Sequence, residues 1–113
     1  MARRDITGAV DFAYLENYAA GDSSFVEEVL GLFREQASIW RNMLDPSGEG
    51  WRDAVHALKG SARGVGAFQL GEVCEHAENA GEGALPDVQS ALDVALFDIA
   101  AYQHEQALRS LRG

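Results

Sequence analysis

Apolar residues recur along most of this chain at alternating spacings of three and four, and this periodicity constrains the fold more than any other feature. The period is that of amphipathic helices, each carrying one apolar stripe. The two prolines, Pro46 and Pro86, fall where helices should break or begin. No sustained alternation of β-branched residues indicates a strand. The pattern therefore predicts an all-α chain.

Turn residues divide this pattern into five helices. We predict a short helix over residues 9–20 and four long helices over residues 22–44, 49–65, 67–80 and 86–111. Helices that have one apolar stripe and short connections bury their stripes best against one another. We therefore expect a single domain over residues 1–113, an antiparallel four-helix bundle with a short additional N-terminal helix.

The charge of the chain is strongly acidic and unevenly distributed. The net charge of −9 argues against nucleic acid as a partner. Residues 49–66 carry three basic and two acidic residues, whereas the rest of the chain carries six basic and 16 acidic ones. We expect this segment to be an electropositive island that a phosphoryl group or an acidic protein pocket could use.

The sequence contains no run of 18 apolar residues, so no membrane span is predicted. The basic start of the chain, residues 1–5, is not followed by an apolar signal region. These two observations lead us to expect a cytoplasmic protein.

One stretch of the third predicted helix is costly to fold. Residues 56–67 hold a histidine, the only lysine of the chain and three glycines, and a glycine inside an exposed helix costs about 1 kcal/mol relative to alanine. Gly64 and Gly66 mark the end of the helix and a bend. His56 falls roughly 140° from the centre of the apolar stripe, so its side chain should point to solvent.

An exposed imidazole with cations around it suggests nucleophilic chemistry, because neutral histidine can act as a covalent carrier. A phosphoryl group would bring about two negative charges, which Lys59 and Arg63 would stabilise. Gly60 would leave room for a second macromolecule to approach the ring. A convex helix face suits a protein partner that brings its own pocket. The alternative is an ordinary surface histidine, and the single lysine and the costly glycine argue against it.

The segment His56–Ala62, followed by Val65–Ala67 and Leu70, closely resembles the signature of histidine-containing phosphotransfer (HPt) domains of multistep phosphorelays. That signature has a histidine, a lysine three residues on, a glycine four residues on, a small hydroxyl residue, and a second glycine ten residues from the histidine. The order of helices is also similar, and the resemblance covers essentially the whole chain. It implies a four-helix bundle with a short extra helix.

The resemblance implies that His56 accepts a phosphoryl group on Nε2 from an aspartyl phosphate of one receiver domain and passes it to an aspartate of another. Lys59 would support the phosphoryl group, and Gly60 would clear the approach. The implied partners are response-regulator receiver domains and a hybrid sensor histidine kinase. The receiver would supply Mg²⁺, and the chain would bind no cofactor of its own. It would be a phosphocarrier and not a kinase with an ATP site.

Three further residues are candidates for supporting roles. In related domains a glutamate or glutamine 22 residues after the histidine lies beside the imidazole, and here that residue is Glu78. A carboxylate there would accept a hydrogen bond from Nδ1–H and leave Nε2 free to attack. A solvated glutamate in an acidic stretch is the alternative. Arg52 and Arg63 lie outside the fixed signature, and we assign them to partner docking.

Two other functions stay open at this stage. A non-catalytic helical adaptor would bind a receiver or kinase domain without relay, and the intact His56, Lys59 and Gly60 argue against it. A di-iron or other metal-binding bundle would need inward Glu-x-x-His pairs, which Glu72, Glu75 and His76 do not supply, so no metal site is predicted. The starting methionine and the lack of a second domain lead us to expect a stand-alone protein. The acidic surface gives no sign of an obligate interface, so we expect a monomer.

Overall fold

The computed structural model describes residues 7–112, which form five α-helices and one short 3-10 helix. The α-helices are α1 (Phe12–Tyr18), α2 (Ser23–Asn42), α3 (Trp51–Val65), α4 (Phe68–Ala80) and α5 (Leu85–Arg112), and the 3-10 helix covers Glu82–Ala84. No strand occurs within residues 7–112, so the predicted all-α class is confirmed. The basic start of the chain lies outside the described residues.

The four long helices form a closed ring around one core. Helix α2 packs against α3 and α5, and α4 packs against the same two helices. Arg34 of α2 bonds Gln103 of α5, and Arg41 bonds Asp93. The residue number rises along one helix as it falls along the other, so α2 and α5 are antiparallel. The architecture is the predicted antiparallel bundle. In the described part of the chain, no helix is long and apolar enough to cross a membrane.

The short first helix differs most from its predicted bounds, because it covers Phe12–Tyr18 and not residues 9–20. Asp11 caps its start by accepting a hydrogen bond from the Tyr14 backbone N–H at 3.0 Å. After the helix, Ala20 and Gly21 adopt positive φ values of 54° and 83° and turn the chain into α2. The other bounds lie within two residues of the predicted ones.

A buried carboxylate ties the N-terminal segment to α5, a feature that the helical periodicity does not indicate. Asp98 is fully buried, and its Oδ1 atom accepts from the Thr7 backbone N–H at 2.9 Å. Its Oδ2 atom accepts from Thr7 Oγ1 and from the Ala9 backbone N–H, both at 3.0 Å. These three donors compensate for the burial of the carboxylate. These hydrogen bonds therefore anchor the N-terminal segment to α5.

Gly66 ends α3 at a point where the N-terminal segment comes very close. Its φ is +93°, and a Cβ atom there would lie 2.6 Å from the Asp11 carbonyl oxygen. The Asp11 backbone N–H also donates to the Gly66 carbonyl at 2.9 Å. A side chain at this position would therefore strain the backbone and push the segment away.

We expect Gly66→Ala to lower the free energy of unfolding by about 2 kcal/mol, as measured by urea denaturation. Gly21→Ala is the matched control, since Gly21 also has a positive φ but nothing lies within 4 Å of the added Cβ. The control should lose about 1 kcal/mol. Equal losses in the two variants would show that the close approach of Asp11 carries no cost.

Candidate functional site

His56 lies in the middle of α3 with its ring outside the bundle. The residues that flank it in the inward direction, Val55 and Leu58, are fully buried. The apolar stripe of α3 therefore fixes the rotation of the helix about its axis. The His56 side chain is 74% exposed. A macromolecule can reach this imidazole without any rearrangement of the bundle.

Glu78 of α4 connects His56 to Lys59. The Glu78 Oε2 atom lies 2.7 Å from His56 Nδ1, and the Oε1 atom accepts from Lys59 Nζ at 2.6 Å. The side chains of Glu78 and Lys59 are only 25% and 20% exposed. Each carboxylate oxygen thus has one partner on α3. The half-buried Glu78–Lys59 pair therefore contacts the Nδ1 edge of the exposed His56 ring.

The charge of Glu78 determines which ring nitrogen is free. The hydrogen bond from Lys59 and then that from His56 hold the pKa of Glu78 below its usual range. The carboxylate is therefore ionised at neutral pH and can only accept a hydrogen bond from Nδ1–H. In the neutral ring, Nε2 is then the nitrogen that carries a lone pair. This nitrogen lies at the ring edge away from Glu78.

Arg63 forms an ion pair with Glu75 of α4 and does not reach the His56–Glu78 contact. Its Nη2 atom donates to Glu75 Oε1 at 2.5 Å, and this bond lowers the pKa of Glu75. Its aliphatic stem covers Gly71, where a Cβ atom would lie 2.9 Å from Arg63 Cγ. Both Arg63 and Lys59 are paired with acids of α4. Two of the three cations of the predicted electropositive island therefore have an acidic partner on α4.

Arg52 stands apart from the histidine as well. Its guanidinium lies over the ring of Trp51, 4.4 Å from the ring centroid. Such stacking stabilises the first turn of α3 through a cation–π interaction. The structure thus brings Lys59 and Glu78 together with His56, whereas Arg52 and Arg63 have other partners.

Two glycines leave the exposed surface of α3 bare beside the histidine. Gly60 and Gly64 are both exposed, and a Cβ atom built on either would meet nothing within 4 Å. Gly64 is still part of α3, whose left-handed C-cap is Gly66. Gly60 lies one turn after His56 on the same face. Neither exposed glycine is required by packing within the described chain.

Helix α2 carries a second apolar stripe that the sequence analysis did not identify. Phe25, Leu32 and Ile39 follow one another at intervals of seven residues, and they are 38%, 55% and 62% exposed. Leu32 and Ile39 lie roughly 160° around the helix from Arg34 and Arg41, which bond α5. The stripe therefore lies on the side of α2 away from the residues that bond α5. The seven-residue spacing is the signal that could have revealed it.

The remaining candidate ligands, Glu72 and His76, and the single cysteine, Cys74, lie on α4. Within residues 7–112, no group of three or more histidine, cysteine or acidic side chains could hold a metal ion. Glu72 and His76 line a groove between α4 and α5 with mostly apolar neighbours. Cys74 is fully buried, and burial is the largest of the effects that raise the pKa of its thiol to about 12. The thiol is thus protonated at neutral pH.

Comparison with known proteins agrees with this arrangement. The family model described as "Hpt domain" matches residues 24–112. The chain is similar to the crystal structure of histidine phosphotransferase ShpA from Caulobacter crescentus, with 68% sequence identity and a TM-score of 0.86. That match covers 92% of this chain and 99% of the other. No curated protein matches the chain. With the signature histidine on the surface of a four-helix bundle, the chain belongs to the Hpt family, whose domains carry out histidine phosphotransfer with receiver domains and kinases in phosphorelays.

Proposed function

We propose that His56 accepts a phosphoryl group on Nε2 from the aspartyl phosphate of one receiver domain and passes it to an aspartate of another. One observation carries this proposal. The exposed ring of His56 has Nδ1 held by the ionised Glu78, so that Nε2 faces solvent with its lone pair available. A surface histidine without such a partner would have neither a fixed orientation nor a fixed tautomer.

The only reacting groups in the transfer step are the His56 imidazole and the aspartyl phosphate of the receiver. The Nε2 lone pair attacks phosphorus, the bond from phosphorus to the aspartate oxygen breaks, and the electron pair leaves on the aspartate carboxylate. The proton on Nδ1 stays in place, so the phosphorylated ring carries a positive charge. Glu78, at 2.7 Å from Nδ1, stabilises that charge as it develops. Transfer to the second receiver runs through the same steps in reverse.

The proposed docking surface for the receiver is the outer face of α3 with the exposed stripe of α2. Gly60 permits a close approach at His56, and the stripe of Phe25, Leu32 and Ile39 supplies apolar surface that is otherwise exposed to water. On this docking surface the receiver brings the acidic pocket and its Mg²⁺ to Nε2. This chain contributes the nucleophile and binds no cofactor itself.

The proposed partners are response-regulator receiver domains and a hybrid sensor histidine kinase. The chain then acts as a monomeric phosphocarrier between them. Its nucleophile is open to solvent on a convex surface, which is a poor arrangement for a small-molecule active site but a good one for docking a second protein.

Incubation with a phosphorylated receiver domain and Mg²⁺ tests the proposal. We expect label to appear on this protein as acid-labile, base-stable phosphate, the behaviour of a phosphorus–nitrogen bond. Addition of a second, unphosphorylated receiver should remove it. A receiver that binds this protein but transfers no phosphate to it would support the non-catalytic adaptor instead.

A further inference from the structure

The outer surface of α5 carries a second apolar stripe, opposite the stripe that faces the core. Its members follow one another at alternating intervals of three and four residues, which keeps them on one face of the helix. They are Val94, Phe97, Ala101, Leu108 and Leu111, with His104 in the one polar position among them. The stripe is centred roughly 180° around the helix from the core residues of α5. Its four large apolar side chains are between 41% and 83% exposed.

The two ends of α5 differ in shape along this stripe. Near its start, α5 and α4 form a groove that is lined by the apolar Val73 and by the acidic Glu72 and Asp87. Near its end, the last turns of α5 are exposed to solvent, and Leu108 and Leu111 stand out from the surface. One end of the helix therefore offers an apolar groove, and the other end offers apolar side chains.

Charge is segregated along α5 in a similar way. Residues 85–108 contain four acidic residues and no lysine or arginine, whereas the last two charged residues of the chain are Arg109 and Arg112. A helix with an acidic beginning and a basic end complements a second copy of itself only when the two helices run antiparallel. A parallel pair would place acid beside acid along most of its length.

We propose that two copies of this chain pair reversibly through the exposed faces of α5, with the two helices antiparallel about a two-fold axis near Ile99. Each copy then inserts Leu108 and Leu111 into the groove between α4 and α5 of the other, and the two contacts are identical by symmetry. At the centre, Phe97 of each copy meets Ala101 of the other, a large side chain against a small one. This inference goes beyond the proposed function and does not depend on it.

The same register creates a contact between opposite charges. With the axis near Ile99, Arg109 of one copy lies within one turn of Asp87 of the other, on the side of the pair that carries α4. Within residues 7–112, neither Arg109 nor Asp87 forms an ion pair in its own chain. Both groups are therefore available to the second copy.

The pair should be weak. Each copy contributes one helix face and one groove, which places the contact near or below about 1,200 Å² of total buried surface. The net charge of −9 also makes the copies repel each other, although salt at about 0.15 M screens charges that are more than about 8 Å apart. The single chain is therefore the species at low concentration, and the dimer forms from it as the concentration rises.

Pairing through α5 leaves both histidines accessible. Helices α3 and α5 occupy opposite corners of the bundle, since each of them packs against α2 and α4. His56 is exposed on the outer face of α3, so it points away from the second copy. The dimer would present two phosphoacceptors that receivers can approach independently.

Sedimentation equilibrium of the unphosphorylated protein at about 0.15 M salt tests the proposal. We expect the weight-average mass to rise from the 12.2 kDa of one chain toward twice that value between about 10 μM and about 1 mM. Leu108→Glu should hold the mass at that of one chain, because it brings a carboxylate to an acidic groove. Leu32→Glu is the matched control, since Leu32 is a similarly exposed leucine on α2. This control should pair as the wild type does. A wild-type mass that stays at one chain, or equal effects of the two variants, would overturn the proposal.

A charge exchange tests the antiparallel register. Arg109→Glu and Asp87→Arg should each weaken pairing about tenfold, because each replaces an attraction by a repulsion at two symmetric contacts. The double variant exchanges the two charges and should restore the dissociation constant to within about threefold of the wild type. A double variant that pairs no more tightly than the single variants would contradict the register and overturn the proposal. None of these measurements requires a receiver or phosphate, so failure of phosphoryl transfer would leave their outcome unchanged.

Discussion

His56→Gln is expected to abolish phosphoryl acceptance while the bundle stays folded. Glutamine preserves polarity, but its amide nitrogen has no free lone pair with which to attack phosphorus. The His56 side chain is 74% exposed, so the change removes almost no packing, and the free energy of unfolding should stay within about 0.5 kcal/mol of the wild type. Transfer of label from a phosphorylated receiver, together with urea denaturation, measures both outcomes.

The matched control for this variant is His76→Gln. His76 is an exposed histidine on the neighbouring helix α4, and it lies beside the groove between α4 and α5. This control should accept label at the wild-type rate. Acid-labile phosphate that persists in His56→Gln would contradict the assignment of His56 as the phosphoacceptor. Loss of this phosphate in His76→Gln would indicate that the nucleophile is a residue other than His56.

Gly60→Gln is expected to have opposite effects on stability and on transfer. A side chain at this position meets nothing within 4 Å, and glutamine forms helix better than glycine, so the fold should gain about 0.5 kcal/mol. The same side chain would stand one turn from His56 on the surface that a receiver must approach. We expect transfer at subsaturating receiver to fall at least about tenfold, mainly because the complex becomes weaker.

Gly64→Gln separates close approach from helix stabilisation. Gly64 is also exposed, helical and free of neighbours around an added Cβ, but it lies two turns from His56. It should show a similar gain in stability and a much smaller loss of transfer. Unchanged kinetics in Gly60→Gln would contradict the role of access, and equal losses in both variants would indicate a broad contact with no special role for Gly60.

The number and placement of the helices could be predicted because each α-helix buries one stripe at the helical period. Gly66 ends α3 as predicted, and the bare surface at Gly60 agrees with its predicted exposure. The bounds of α1 were less accurate. Its ends depend on the Asp11 cap and on the positive φ values of Ala20 and Gly21, and a periodic pattern contains no information on either.

The partners of the charged residues could not be predicted from the sequence, because they depend on how α3 and α4 are aligned along each other. That alignment places Glu75 opposite Arg63 and Glu78 between Lys59 and His56. Glu78 could be singled out only through the resemblance to HPt domains.

Two other features could not be predicted from the periodic pattern, and the reasons differ. Asp98 precedes the buried Ile99 on α5, and its own burial is possible only because Thr7 and Ala9 supply three donors from the far end of the chain. Val26 takes the core position on α2, whereas its neighbour Phe25 is 38% exposed. A single-stripe interpretation cannot describe a helix with two apolar flanks.

The bond between Asp98 and Thr7 spans 91 residues of chain, whereas Glu78 is only 22 residues from His56 and 19 from Lys59. The entropy cost of closing a loop rises with its length, and local contacts speed folding. The contacts around the imidazole can therefore form within the α3–α4 hairpin, ahead of the contact that joins the N-terminal segment to α5. We therefore expect the contacts of His56 to form early in folding and the N-terminal segment to bind α5 later.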